Sequence, residues 1–414
     1  MGKNIGIVTF WFERGAAYVS KQYIKLLEGS YNIHIYARGG DISGYTPLKD
    51  RWEGENVTWD KGMVDYRPTT VNLRQFKKWL IKNNIQLVFF NEQRNWESVV
   101  LCRELGITIG SYIDYYTEET IPFFRLYDFL VCNTKRHFSV FSWHDGVNYV
   151  PWGTDVALFK PSKNFPNPSS DKIVFFHSAG MNPKRKGTDL LIKAFNKISS
   201  KKCKLLIHTQ LLLEDSFPNL RSIIGKLQAQ ERLEIVQKTI PAPGLYKYAD
   251  IYVYPSRLDG IGLTICEAMS SGLPVIVSDN PPMNEFVQES SNKIKIERFF
   301  TRKDGYYWPS CECSIEDLSN KMLLKLESEE ALSEEKIATR EKAVSQYSWY
   351  NNKQLLLDIF NEHINNGVPK ELDFELLNRV KEFEEKRIHI LAKTLRHIPF
   401  SRQLEILLRR AKIL

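Results

Sequence analysis

The chain has little that would place it outside a cell or inside a bilayer. No apolar run in its 414 residues reaches the roughly 18 residues that a membrane-spanning helix needs. Its six cysteines, Cys102, Cys132, Cys203, Cys266, Cys311 and Cys313, are scattered, and only the last two come close together. That spacing gives neither a disulfide framework nor a set of zinc ligands, so a reducing cytoplasm is expected. The start "MGKNIGIVTF" passes directly into an apolar strand without the three parts of a secretory signal. Gly6 stands where a myristoylation pattern needs Ser or Thr. No short-period repeat is present either.

Excess charge is also scarce over most of the chain. The net charge is +8, yet residues 386–414 hold eight Lys or Arg against the single acid Glu405, which leaves about +1 for everything upstream. In this tail Ile388, Leu391, Leu395 and Ile398 recur at helical spacing, as do Leu404, Leu407, Leu408 and Ala411, with Pro399 between the two runs. The pattern predicts two basic amphipathic helices. They suit docking on an anionic membrane surface, each cation contributing on the order of 1 kcal/mol. Packing of the apolar stripe on the body is the other reading. A nucleic-acid partner is not expected, because no recognition motif accompanies the cations.

What the chain does have is a globular composition, 43% hydrophobic and 26% charged, that excludes wholesale disorder. Apolar β-rich runs alternate with helical patterns, the signature of an α/β fold with parallel sheets. The first half supplies "NIGIVTF", "YNIHIYA", "IQLVFFN", "ITIGSYI" and "DFLVCNT"; after "KPSKNFPNPSSD" come "KIVFFHS", "KLLIHTQ", "RLEIV", "DIYVYPS" and "PVIVSD". The expected plan is a domain over 1–159, a linker over 160–171, a second domain over 172–346, helices over 347–385 and the basic tail over 386–414. In such sheets ligands lie beyond the carboxyl ends of the strands.

The stretch "LDGIGLTICEAMSSGLPVIVSD", residues 258–279, concentrates chemistry at one such strand end. A strand leads through a loop into a helix whose first amides and dipole favour an anion. Gly260 and Gly262 would let the backbone approach a ligand closely. Asp259 and Glu267 can then reach one bound molecule from the loop and from the helix. A second anion feature precedes the helix at Gly187, where Arg185 and Lys186 could make charge-assisted contacts with a pyrophosphate.

Together with "KGTDLLIKAF", "PWGTDVALFKP" and "YKYADIYVYPS", the segment "YPSRLDGIGLTICEAMSSGLPVIVSD" resembles the signature of glycosyltransferase family 4, strongly over about 150–290 and more loosely before it. The resemblance implies the GT-B fold: two Rossmann-like doubly wound domains facing a central cleft, with a helical C-terminal extension. Within that extension "YSWYNNKQLLLDIF" would cross back to the first domain. It implies a hexosyltransferase-like enzyme that uses a nucleotide diphosphate sugar, retains anomeric configuration, and needs neither metal nor cofactor; no Asp-x-Asp pair is present. Glu267 would hold the ribose hydroxyls and Asp259 would face the donor sugar. The amides of Gly262, Leu263 and Thr264 would hold the diphosphate with Lys186, and Gly15 would border the donor phosphate.

Three departures from the family pattern stand out. The first acid is Asp259 in place of the usual Glu, and Met181 follows Gly180 where the family has Arg, leaving Arg185 to compensate. Asp114, in "GSYIDYYTEET", stands where many relatives carry a histidine on the acceptor side. His137 and His144 nearby are expected at the surface. The aromatic and acidic cluster "YIDYYTEETIPFFRLYD" suits either sugar stacking or core packing. With the basic tail, the resemblance implies a glycan or lipid-linked acceptor, as in bacterial lipopolysaccharide, capsule or glycolipid assembly at the inner face of the cytoplasmic membrane. A sugar-nucleotide epimerase and a non-catalytic nucleotide-sugar-binding protein are the alternatives.

Overall fold

A computed structural model describes residues 2–12, 15–38, 52–60, 69–166, 171–365 and 373–387. Contacts divide them into two units: Met1–Asn133 and His137–Val150 with the chain from Lys353, and Thr134–Arg136 with Pro151–Asn352.

The first unit holds seven strands, β1 (Asn4–Thr9), β2 (Asn32–Ala37), β3 (Val57–Trp59), β4 (Leu87–Phe90), β5 (Thr108–Tyr112), β6 (Phe129–Cys132) and β7 (Val147–Tyr149). They form one parallel sheet in the order β3-β2-β1-β4-β5-β6-β7. The second unit repeats the pattern with β8 (Ile173–Gly180), β9 (Cys203–Thr209), β10 (Leu233–Gln237), β11 (Ile251–Tyr254), β12 (Val275–Ser278) and β13 (Lys293–Ile294), ordered β10-β9-β8-β11-β12-β13 and parallel throughout. An antiparallel ribbon, β14 (Ile296–Phe300) with β15 (Ser310–Cys313), follows. In each sheet the winding reverses once, between β1 and β4 and between β8 and β11, and such switch points leave a crevice at the strand ends.

Strand periodicity decides what faces that crevice. On β11, Ile251 and Val253 enter a buried core with Leu190, Leu191 and Phe195 of the Thr188–Lys197 helix. Tyr252 and Tyr254 alternate to the other face and stack at 5.7 Å. The ion pair of Lys336 with Asp250, 2.8 Å apart and buried, fastens the Glu329–Gln346 helix beneath this sheet; Asp250 also accepts from the Val174 amide at 2.8 Å.

The units divide at 150 and 151, ahead of the boundary expected at 159. Segment 151–166 belongs with the second unit because the Phe159 carbonyl accepts from Ser270 Oγ at 2.6 Å, and Arg340 donates to the Phe159 and Val156 carbonyls. The Lys353–Asn365 helix lies in the first unit, where Phe360 packs on Phe89 and Phe129 and Asn361 accepts from the Tyr31 hydroxyl. The Phe374–Arg387 helix is held there by the buried Glu384 carboxylate, which accepts from the Trp96 amide at 2.8 Å and from Asn95 Nδ2 at 2.9 Å. Residues 388–414, and with them the two amphipathic helices expected from the sequence, lie outside the described residues. Among those described, no helix is long and apolar enough to cross a membrane.

Two surface expectations are corrected. His137 and His144 are buried: His137 Nδ1 sits 2.8 Å from the Tyr116 hydroxyl, and His144 Nε2 sits 3.1 Å from the Tyr127 carbonyl. Both ring nitrogens meet polar groups on the segment ahead of β6, which offsets the cost of burying imidazole. In the aromatic cluster Tyr116, Phe123, Phe124 and Tyr127 are core residues, while Tyr115 is half-buried under the Arg94 guanidinium at 3.8 Å.

Candidate active site

In the second unit, the loops after β8 and β11 meet at the switch point. Gly187 brings them together: its φ is +73°, and a Cβ there would lie 1.9 Å from the Pro255 carbonyl oxygen. The Arg257 amide donates to the Arg185 carbonyl at 2.8 Å across the same seam. This approach carries Lys186 Nζ to 2.7 Å from Asp259 Oδ2, while Arg185 donates to the Leu258 carbonyl at 2.8 Å and stands 3.6 Å from the same carboxylate. Arg185 thus sets a guanidinium beside Asp259, whereas Met181 is exposed.

Asp259 is almost fully buried, and the Tyr254 hydroxyl donates to Oδ2 as well. Its Oδ1 accepts from the Gly262 amide at 3.0 Å and the Ile261 amide at 3.3 Å. Burial, the largest influence, would push this carboxyl up, but Lys186, Arg185 and Tyr254 together hold it well below the usual carboxylate range. Burial in turn lowers the Lys186 ammonium, against the pull of Asp259. The result is a desolvated ion pair at a strand end, an arrangement that marks functional sites when it also faces a crevice.

Beyond the loop, the Leu263–Ser270 helix starts at Gly262, whose φ is +73°. The Gly262 amide is spent on Asp259, so of the three amides expected to hold a diphosphate only those of Leu263 and Thr264 are without a described protein acceptor. Glu267, a turn further on and half-buried, accepts from the Tyr246 hydroxyl at 2.6 Å. Burial pushes its carboxyl up to about 7, against the opposing influence of Tyr246 and Lys186. Gly260 has no positive φ, and a Cβ built there would meet no protein atom within 4 Å. Gly260→Ala is expected to leave stability within about 0.5 kcal/mol of the parent. Gly262→Ala places a Cβ 2.7 Å from the Phe286 ring and is expected to lose at least about 1–2 kcal/mol to left-handed strain alone. Urea melts of the two variants check this pair.

The first unit carries a second cluster at its strand ends. Gly15 is exposed at the first position of the Gly15–Leu27 helix. Asp114, after β5, is half-buried and hydrogen-bonded to Glu92, after β4; burial, then the Glu92 carboxylate, push it up. The buried Arg38 donates to the Glu92 carbonyl at 2.9 Å and to Gln93 Oε1 at 2.8 Å, and lies over the Phe10 ring. Sequence reasoning missed Tyr246, Tyr254, Glu92 and Arg38. The alternation "IYVY" places Tyr254 on the crevice face, and the adjacency of β4 and β5 would have paired Glu92 with Asp114.

Two doubly wound parallel sheets, the second with an acid, a lysine and a helix start at its switch point, define the GT-B fold. Residues 159–339 match the family model described as Glycosyl transferases group 1. Among individual proteins, the chain is 27% identical over 179 residues to "uncharacterized glycosyltransferase 335" of Sulfolobus islandicus rod-shaped virus 1, covering 41% of this chain and 50% of that one. It therefore spans half the length of this curated relative. A solved glycosyltransferase from Rickettsia africae ESF-5 superposes with a TM-score of 0.69 at 16% identity, covering 88% of this chain and 99% of that one. Anabaena Alr3699/HepE, solved with UDP and glucose, superposes at 0.64 with 14% identity, covering 87% and 100%.

Proposed function

We propose that the chain transfers a glycosyl group from a nucleoside diphosphate sugar to a glycan or lipid-linked saccharide, with retention of configuration. The observation that carries this reading is the Lys186–Asp259 pair at the β8/β11 switch point, its carboxylate buried and its lysine partly so, beside the Leu263 and Thr264 amides and one helical turn from Glu267. The hard event in such a transfer is departure of the diphosphate as negative charge builds on its oxygens. Lys186, Arg185 and the helix start are fixed donors that meet that charge without reorganising, and removal of one such donor slows related reactions by about 10²–10³-fold. Asp259 orients the sugar and keeps Lys186 in place. Glu267 accepts the ribose hydroxyls, and Asp114 serves the acceptor side. The eight cations of residues 386–414 support a seat on an anionic membrane surface at its cytoplasmic face.

The test is a thermal-shift series with nucleoside diphosphate sugars, UDP-glucose among them, on the full chain. A ligand that binds only the folded state raises the melting temperature. The shift is expected to grow as pH rises through about 7, because the ionised Glu267 carboxylate is the stronger acceptor for ribose hydroxyls. Glu267→Gln is expected to flatten that dependence. Without ligand the sign reverses: Glu267, raised from its ordinary 4.5 to about 7, costs the fold stability progressively as pH climbs between those two values and no further above them. A panel with no shift at any pH would remove the donor site from consideration.

A further inference from the structure

A second cationic site lies on the other side of Arg185. A cavity of about 430 Å³ is lined by Lys184, Arg185, Arg257, Arg298, Arg302 and Glu312. Three separate segments supply these residues: the loop after β8, the residue following the β11 loop turn, and the β14–β15 ribbon with the turn behind β14. Arg257 is the fixed element, held bidentate by Asp189 at 2.7 and 2.8 Å and donating also to the Lys184 carbonyl. Arg302 is matched by Asp304, and Arg298 reaches Glu312 at 3.0 Å.

The remaining charges do not balance. Among the described residues, Lys184, Arg185, Lys186, Arg257 and Arg298 are faced by Asp189, Asp259 and Glu312. Lys184 is exposed with no carboxylate against it. Folding has thus gathered cations from distant parts of the chain with too few anions to offset their repulsion, a cost that an external anion removes. The donors are mostly guanidinium forks, which match phosphate oxygens in pairs as an ammonium does not. Phe300, 40% exposed, adds an apolar wall to the same cavity.

We propose that this pocket binds a phosphoryl group carried by the acceptor, so that the substrate class is a phosphate-bearing saccharide or polyol. The assignment to the acceptor rests on the donor reading above. Arg185 lines the pocket and also stands 3.6 Å from Asp259, so an occupant lies beside the donor site without using Lys186 or Glu267. The phosphate is borne either by a soluble molecule or by a lipid, and the chemistry of recognition is the same.

Calorimetric titration of the full chain with inorganic phosphate tests the site, read beside the nucleotide-sugar thermal shift. Lys184→Ala/Arg298→Ala removes two exposed cations and is expected to melt like the parent. It is expected to weaken phosphate binding at least tenfold while the nucleotide-sugar shift stays unchanged; Arg298→Lys, which keeps charge but loses the fork, is expected to fall between. A drop in capture on phosphatidic acid vesicles in the double variant, beyond the share that residues 386–414 hold in both proteins, assigns the phosphate to a lipid, and binding of glycerol phosphate without such a drop assigns it to a soluble acceptor. Equal phosphate affinity in parent and double variant, or loss only in Lys186→Ala, overturns the proposal. A missing nucleotide shift with intact Arg298-dependent phosphate binding instead overturns the donor reading alone.

Discussion

Lys186→Ala is expected to lower kcat by about 10²–10³-fold and to destabilise the fold by about 3 kcal/mol. The first effect is the loss of a fixed cation from the departing diphosphate. The second arises because Asp259, only 8% exposed, would keep Tyr254 and two amides but lose its ammonium partner. Breaking a buried pair from one side leaves a desolvated charge, which costs more than the pair itself contributes. The pH dependence follows from the sign of the shift. In the parent, the depressed Asp259 contributes stability that is present above its ordinary value and lost only in strong acid. Without Lys186 the folded-state carboxyl is less depressed, so its contribution is smaller and is fully lost at higher pH, and the acid-unfolding midpoint moves upward. Lys186→Met/Asp259→Asn is expected to recover much of the stability and none of the activity. Urea melts at several pH values, with turnover assays on all three proteins, separate the two effects; a double variant with normal turnover would refute the role given to this pair.

Gly187→Ala has the largest expected effect on the fold itself, about 2–5 kcal/mol. Left-handed backbone at a residue with a Cβ costs about 1–2 kcal/mol, and forcing a methyl into a filled space adds about 1–3 kcal/mol. Here the obstacle is the Pro255 carbonyl, 1.9 Å from the added carbon, and backbone cannot step aside as a flexible side chain can. Relief requires the loops after β8 and β11 to separate, which pulls Lys186 from Asp259. Donor binding should therefore weaken even at temperatures where the variant is folded. Gly180→Ala is the control, since Gly180 is also left-handed at φ +55° but has open space around it. It should lose only the strain and keep its nucleotide-dependent thermal shift.

Much of the architecture could be read from alternation. Ten of the thirteen described strands of the parallel sheets coincide with β-rich apolar runs legible in the sequence. The three that escaped notice are β3, β7 and β13, each two or three residues long and mostly half-buried, too brief for any period to show. The ribbon β14–β15 escaped because "IERFF" shows no strict alternation and "SCEC" is only four residues long. The carboxylates and cations of the candidate site were likewise legible, because a loop between an apolar strand and a small-residue helix start is a local pattern. His137 and His144 were misjudged as surface residues because nothing local reveals that Tyr116 and the Tyr127 carbonyl are waiting for them.

The sequence by itself determined two α/β halves, the residues that line the second switch point, and a basic tail on a nearly neutral body, since each depends on local periodicity or composition. Only the tertiary structure decided how those residues pair. It spent the Gly262 amide on Asp259, tied Glu267 to Tyr246, joined Asp114 to Glu92, and drew Arg257 and Arg298 to one cavity from opposite ends of a long stretch of chain. Such contacts join residues whose separation along the chain carries no periodic signal. Their energies come from burial and from partners that exist only once the sheets have formed.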